Sequence, residues 1–167
     1  TKVTDGSGVL NLTVGAGHTN ALTVALSTGS DVVDGSASAA VLDITVANAS
    51  LTSGDALTGG TSTSDKLTIT ADGSTVTASE LGGVTGIESI VYATNATTGA
   101  ITLPDTIMAA GKTLTVDGTA ITGSNNVLTV VGTAETDGSL IVKGGAGSDV
   151  ITGTASSLGD NLQGGSG

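Results

Sequence analysis

The chain has no cysteine and no arginine, one proline, one histidine and a single aromatic residue, Tyr92. Each scarcity excludes something. Without cysteine there are no disulfides and no thiolate ligands, and an exported chain has no thiol to mispair. With one aromatic ring, the interior has to be built from Val, Ile, Leu and Ala. Small branched side chains suit narrow stacked β layers better than a bulky globular core. Basic residues amount to Lys2, Lys66, Lys112 and Lys143 against 15 acids, a formal net charge of −11. That balance argues against nucleic acid, whose phosphates need basic contacts, and against an anionic membrane surface. Mean hydropathy is +0.35, yet every apolar run is broken within a few residues. None approaches the roughly 18–20 residues of a membrane helix, so no membrane insertion is expected. The lone histidine, His18, has no second imidazole and no HExxH setting, which leaves no zinc-protease motif. No G-x-S-x-G elbow is present. The acids fall at turn positions, which turns and cations explain better than a pair of glycosidase carboxylates. The reading is not that of an enzyme.

What the sequence has instead is 27 glycines in 167 residues, with abundant Thr and Ser, enough length for one domain with a real core. Glycine is costly inside regular elements and marks recurrent turns. Between the turns a short strand signal recurs, apolar residues alternating with Thr, at 9–14, 21–24, 42–46, 67–70, 87–91, 101–103, 114–116, 127–131, 140–142 and 150–151. Turn residues keep a register: Asn126 and Asp149 are 23 apart, as are Asp137 and Asp160, with Asp43 and Asp65 at 22 and Asp31 and Asp55 at 24. Two strands in each repeat of about 23 residues predict an all-β parallel β-solenoid. A β-sandwich with regular turn spacing is the alternative. Single helical turns are expected at 77–81, capped by Thr77 or Ser79, and at 104–111, between Pro104 and Gly111. Thr-x-Thr pairs do not make a flat ice-binding array, because one such repeat carries Thr68 and Thr70 onto Val91 and Ala93. The sequons at Asn11, Asn48 and 95–97 are short patterns and carry no weight of their own.

The most specific motif is Gly144-Gly145-Ala146-Gly147-Ser148-Asp149-Val150-Ile151-Thr152, followed by a looser copy ending in Asp160-Asn161-Leu162 and by Gly164-Gly165-Ser166-Gly167. It matches G-G-x-G-x-D-x-U-x, with U a large aliphatic. The glycines allow a turn and bring carbonyls close to an ion, and the aspartate is a hard oxygen ligand of the kind calcium takes. The aliphatic points inward on a short strand. On these residues the chain resembles the repeats-in-toxin (RTX) family of secreted calcium-binding proteins. Degenerate copies run upstream: Gly132 to Asp137 with Glu135, Gly123 to Asn126 without a carboxylate, Gly54-Asp55 to Asp65-Lys66-Leu67, and Gly29-Ser30-Asp31-Val32-Val33-Asp34. The order of the Asp55–Gly60 stretch and Gly86-Ile87-Glu88 is similar to RTX-containing bacterial surface-layer proteins.

The resemblance implies a β-roll segment over 123–167 and a solenoid-like region with degenerate repeats over 1–122. It implies Ca2+ as the bound ion, with Gly145, Gly147, Asp149, Asp160, Asp137, Gly165, Asp65 and Asp31 as ligand-forming positions. It also implies export of an unfolded chain directed by a signal at the far C-terminus of the full protein, so that this chain is an excerpt of a longer one. No leader is expected near Lys2, which no apolar stretch follows. The functional expectation is a secreted structural protein of the bacterial cell surface, a surface-layer or filament subunit that assembles with copies of itself, with a cell-surface polysaccharide as a further candidate partner. The alternative is an adhesin or ligand-binding module in a long RTX array. Asp149 is expected to matter more than Asp72, which stands in an Asp-Gly turn outside the register.

Overall fold

A computed structural model describes residues 1–70, 73, 75–93 and 98–167; Asp72 and the sequon at 95–97 lie outside them. The strands, all short, are β1 (Lys2–Thr4), β2 (Asn11–Thr13), β3 (Leu22–Ala25), β4 (Val32–Asp34), β5 (Leu42–Ala47), β6 (Ala56–Thr58), β7 (Lys66–Thr70) and β8 (Thr75–Val76). They continue as β9 (Val84–Thr85), β10 (Ser89–Tyr92), β11 (Gly99–Thr102), β12 (Thr113–Asp117), β13 (Leu128–Val131), β14 (Ser139–Lys143), β15 (Val150–Thr152) and β16 (Asn161–Gln163). They form three sheets: β1-β3-β5-β7-β10-β12-β14-β16, β2-β4-β6-β9 and β8-β11-β13-β15. Every pairing among the described residues is parallel. This is the β-solenoid, and not the sandwich, whose strands would run antiparallel.

The long sheet runs from one end of the stack to the other and crosses residue 122 without interruption. Along it Lys2 pairs with Thr23, Thr23 with Asp43, Asp43 with Lys66, Lys66 with Ser89, Ser89 with Thr115, Thr113 with Ser139 and Ile141 with Asn161. The steps are unequal, those from Ser89 to Thr115 and from Thr113 to Ser139 being the longest. The coils nevertheless keep close to the expected length, about 23 residues, over about seven turns. The expected step from Thr68 to Val91 is present. The opposite wall changes sheet partway. The coil between β7 and β10 supplies both β8 and β9, joined by a turn in which the Thr77 amide and hydroxyl donate to Glu80 Oε2 and the Glu80 amide donates back to Thr77 Oγ1 at 3.4 Å. That reciprocal cap is the one foreseen at Thr77, holding a turn and not a helix. The second foreseen helix is a 3-10 turn, Asp105–Ile107, which begins directly after Pro104, contacts β9 and is followed by Gly111 at φ 74°. No helix among the described residues is long and apolar enough to cross a membrane.

Alternation decides what is inside. The inward column of the long sheet reads Val3, Val24, Ile44, Leu67, Ile90, Val116, Val142, Leu162. Facing it are Leu12, Val33, Leu57 and Val84 in one short sheet, and Val76, Ile101, Val130 and Ile151 in the other. The central members are fully buried. Tyr92 is the one ring in this aliphatic interior and fits because Gly99 has no side chain: a Cβ there would stand 2.7 Å from the ring. Burial pushes the ionisation of the Tyr92 hydroxyl well up, and that hydroxyl has no hydrogen-bond partner among the described residues. On the outer face Asp43 pairs with Lys66 at 3.1 Å and Asp117 with Lys143 at 3.6 Å, each between strands in register. Asp43 is therefore a strand residue facing out, and its spacing to Asp65 is not a turn repeat.

Candidate functional site

A parallel strand that starts at a corner has a first amide with no strand neighbour to accept from it, and a buried amide needs an acceptor. At several corners of this stack the acceptor is a carboxylate from the following coil. Asp31, just before β4, takes the Leu10 amide on Oδ1 at 2.8 Å, and the Asp31 amide in turn donates to Asp55 Oδ1 at 2.7 Å. Asp55 Oδ2 accepts the Thr52 amide at 2.7 Å. On the long-sheet side Asp65 takes the Leu42 amide at 2.8 Å and the Gly60 amide at 2.6 Å, while its own amide donates to Glu88 Oε2 at 2.8 Å. Asp149 takes the amides of Leu128 (2.8 Å) and Gly145 (2.7 Å). Asp160 takes those of Leu140 (2.8 Å) and Thr154 (2.7 Å). Charge-assisted bonds of this kind are the stronger ones. Each carboxylate thus clasps two coils, reaching back 20 to 24 residues.

Asp31, Asp65, Asp149 and Asp160 therefore share one role at the starts of β4, β7, β15 and β16. Asp137 does not share it. It is exposed, and the buried carboxylate of its turn is Glu135, whose Oε1 accepts the amides of Asp137 at 3.0 Å and Gly138 at 2.7 Å. Sequence reasoning also passed over Asp55 and Glu88 as members of the clasp. The register of Asp31 with Asp55 was the signal for the first; a matching step from Asp65 to Glu88 would have found the second. Asn126 stands in a plain turn, as its missing carboxylate implies, with its amide donating to Gly123 O at 2.9 Å.

The motif glycines serve close approach more than unusual torsion. Gly165 alone among Gly145, Gly147 and Gly165 has a left-handed φ, 85°. A Cβ on Gly145 would stand 2.4 Å from Ile121 O, and one on Gly147 would stand 1.9 Å from Asn126 O. At Gly144 the same position is crowded from two sides, 2.2 Å from Asp149 Oδ2 and 2.5 Å from Gly164 O. Carboxylate and carbonyl oxygens of neighbouring coils therefore gather around glycine Cα atoms.

Hard oxygens are the donors calcium takes, about six to eight of them. Among the described residues no group of three or more acidic or His side chains is placed to hold a metal ion. Among the same residues two buried carboxylate oxygens have no protein partner, Asp31 Oδ2 and Glu135 Oε2. Burial raises the Asp31 pKa, the Leu10 amide works against this, and Asp5 and Asp55 push it further up. A buried charge beside two other acids is a place where a cation would be stabilised.

No family model, no curated protein and no solved structure matches the chain. Its class therefore rests on the fold: a parallel β-solenoid whose coils are clasped by carboxylates.

Proposed function

We propose that the chain is a structural section of a secreted bacterial cell-surface protein, of the surface-layer or filament type, that binds calcium at its stacked turns and packs against further coils of the same kind. The observation that supports this reading is the repeated carboxylate at the turns: Asp31, Asp65, Asp149 and Asp160 each accept a backbone amide of the preceding coil in a parallel stack, so that one coil is built to pack on the next. The excess of acids supports a calcium requirement, since repulsion between stacked carboxylates falls when a cation is bound.

Electron microscopy and sedimentation of the purified chain, in calcium and in EDTA, test the reading together. Ordered arrays or end-to-end oligomers in calcium that disperse in EDTA are expected. A monodisperse monomer at high concentration in both buffers would overturn it.

A further inference from the structure

The corner between the short-sheet wall and the long sheet is not even along the stack. From β6 to β7 the chain spends residues 59–65 on it, and before β12 it spends residues 103–112, including the 3-10 turn. Between them, from β9 to β10, it spends only 86–88, with Gly86 at φ 64° making the tight bend. A short corner between two long ones leaves a notch of about 390 Å³, a size within the range of small-ligand sites.

Its walls are set before any ligand arrives. On one side the Thr61 amide and hydroxyl both donate to Ser38 O, at 2.8 and 3.2 Å. On the other, the Thr136 amide and hydroxyl hold Asp105 Oδ1 at 2.9 and 2.8 Å, the Gly111 amide donates to Asp137 O, and the Ser139 amide donates to Lys112 O. Glu88, half-buried, and Lys112, exposed, line the notch together with the buried Ile87, Ile107 and Met108. Glu88 and Lys112 feel each other's charge without forming an ion pair. A half-buried carboxylate and an exposed ammonium that are not paired with each other, beside Ile87, Ile107 and Met108, complement a molecule carrying both charges and an aliphatic group.

We propose that this notch binds a free α-amino acid with an aliphatic side chain, its ammonium on Glu88, its carboxylate on Lys112 and its side chain against Ile107 and Met108. The site would add a small-molecule ligand to the proposed structural role.

The test is a nuclear magnetic resonance titration of the full chain with leucine, leucinamide, N-acetyl-leucine and glucosamine. Leucine should shift amides of 60–63, 86–88 and 107–113 in a saturable way. Each analogue lacking one charge should bind at least ~10-fold more weakly. Lys112→Gln should erase the preference for leucine over leucinamide, and Glu88→Gln the preference over N-acetyl-leucine. Glu88→Gln keeps an oxygen for the Asp65 amide, and Lys112 is exposed, so Lys112→Gln tests the idea even if the first variant folds poorly. Shifts of equal size with all the leucine derivatives, a response to glucosamine and not to leucine, no saturable change at the notch, or leucine binding untouched in Lys112→Gln would each overturn the proposal.

Discussion

At the scale of the residue, the carboxylates of Asp31, Asp65, Asp149 and Asp160 already have partners in the backbone. This sets what their loss costs. Asp149→Ala strips the Leu128 and Gly145 amides of their acceptor, at about 1–3 kcal/mol for each amide left buried and unpaired. Asp34→Ala removes only bonds from Ser36 two residues on and should cost much less. Thermal melts in EDTA compare the two, and equal losses would remove the case for a clasp. Gly147→Val should be at least as damaging as Asp149→Ala, because its side chain meets Asn126 O and calcium cannot relieve that. Asp31 gives a dependence on pH. Its pKa is raised by folding, so its contribution to stability is fully present below the unfolded value near 3.8 and is lost as pH rises through the folded one. Asp31→Asn keeps an oxygen for the Leu10 amide and removes the buried charge. In EDTA it should melt above the parent chain at pH 7, and the gap should close as pH falls through the carboxylate range. In calcium the order should reverse if an ion uses Asp31 Oδ2. A gap that does not change with pH would contradict the assignment.

At the scale of the element, position in the column decides cost. Leu67→Ala, in the sealed middle, should destabilise by about 2–5 kcal/mol. Leu162→Ala, at a position 43% exposed, should cost much less, which parallel melts would show. The strands that sequence revealed are those long enough to alternate, such as β5 with Leu42, Ile44 and Val46 inward and β7 with Leu67 and Ile69 inward. β8 and β9, a residue pair each, carry no period of their own. β4 and β6 were hidden because Asp31-Val32-Val33-Asp34 and Asp55-Ala56-Leu57-Thr58 read as ion-binding turns, when each is a turn acid followed at once by a strand. The acids Asp149 and Asp160 were legible as a class. Their partners were not. A fixed repeat carries Asp149 to Asn126, while the structure pairs Val150 with Thr129 and brings Asp149 to the Leu128 amide. Corner length sets each step, and no local pattern reports it.

At the scale of the molecule, the stack is a sum of coils that touch only their neighbours. Calcium is expected to add to the same coil-to-coil contacts that the carboxylates make. Extracellular sites bind at about 10⁻⁴–10⁻³ M, so millimolar calcium should raise both the melting temperature and the β-sheet circular dichroism, and EDTA should reverse both. Superimposable melts in the two buffers would leave the clasp as a purely protein device and remove the ion from its function.

The direction of the clasp has a consequence in time. Each carboxylate lies later in the chain than the amide it satisfies: Asp31 serves Leu10, Asp65 serves Leu42, Asp160 serves Leu140. A chain that emerges amino end first can form the strands of one coil but cannot close its corners until the next has arrived. Folding should therefore lag emergence by about one coil, keeping the newest segment loose while everything behind it locks.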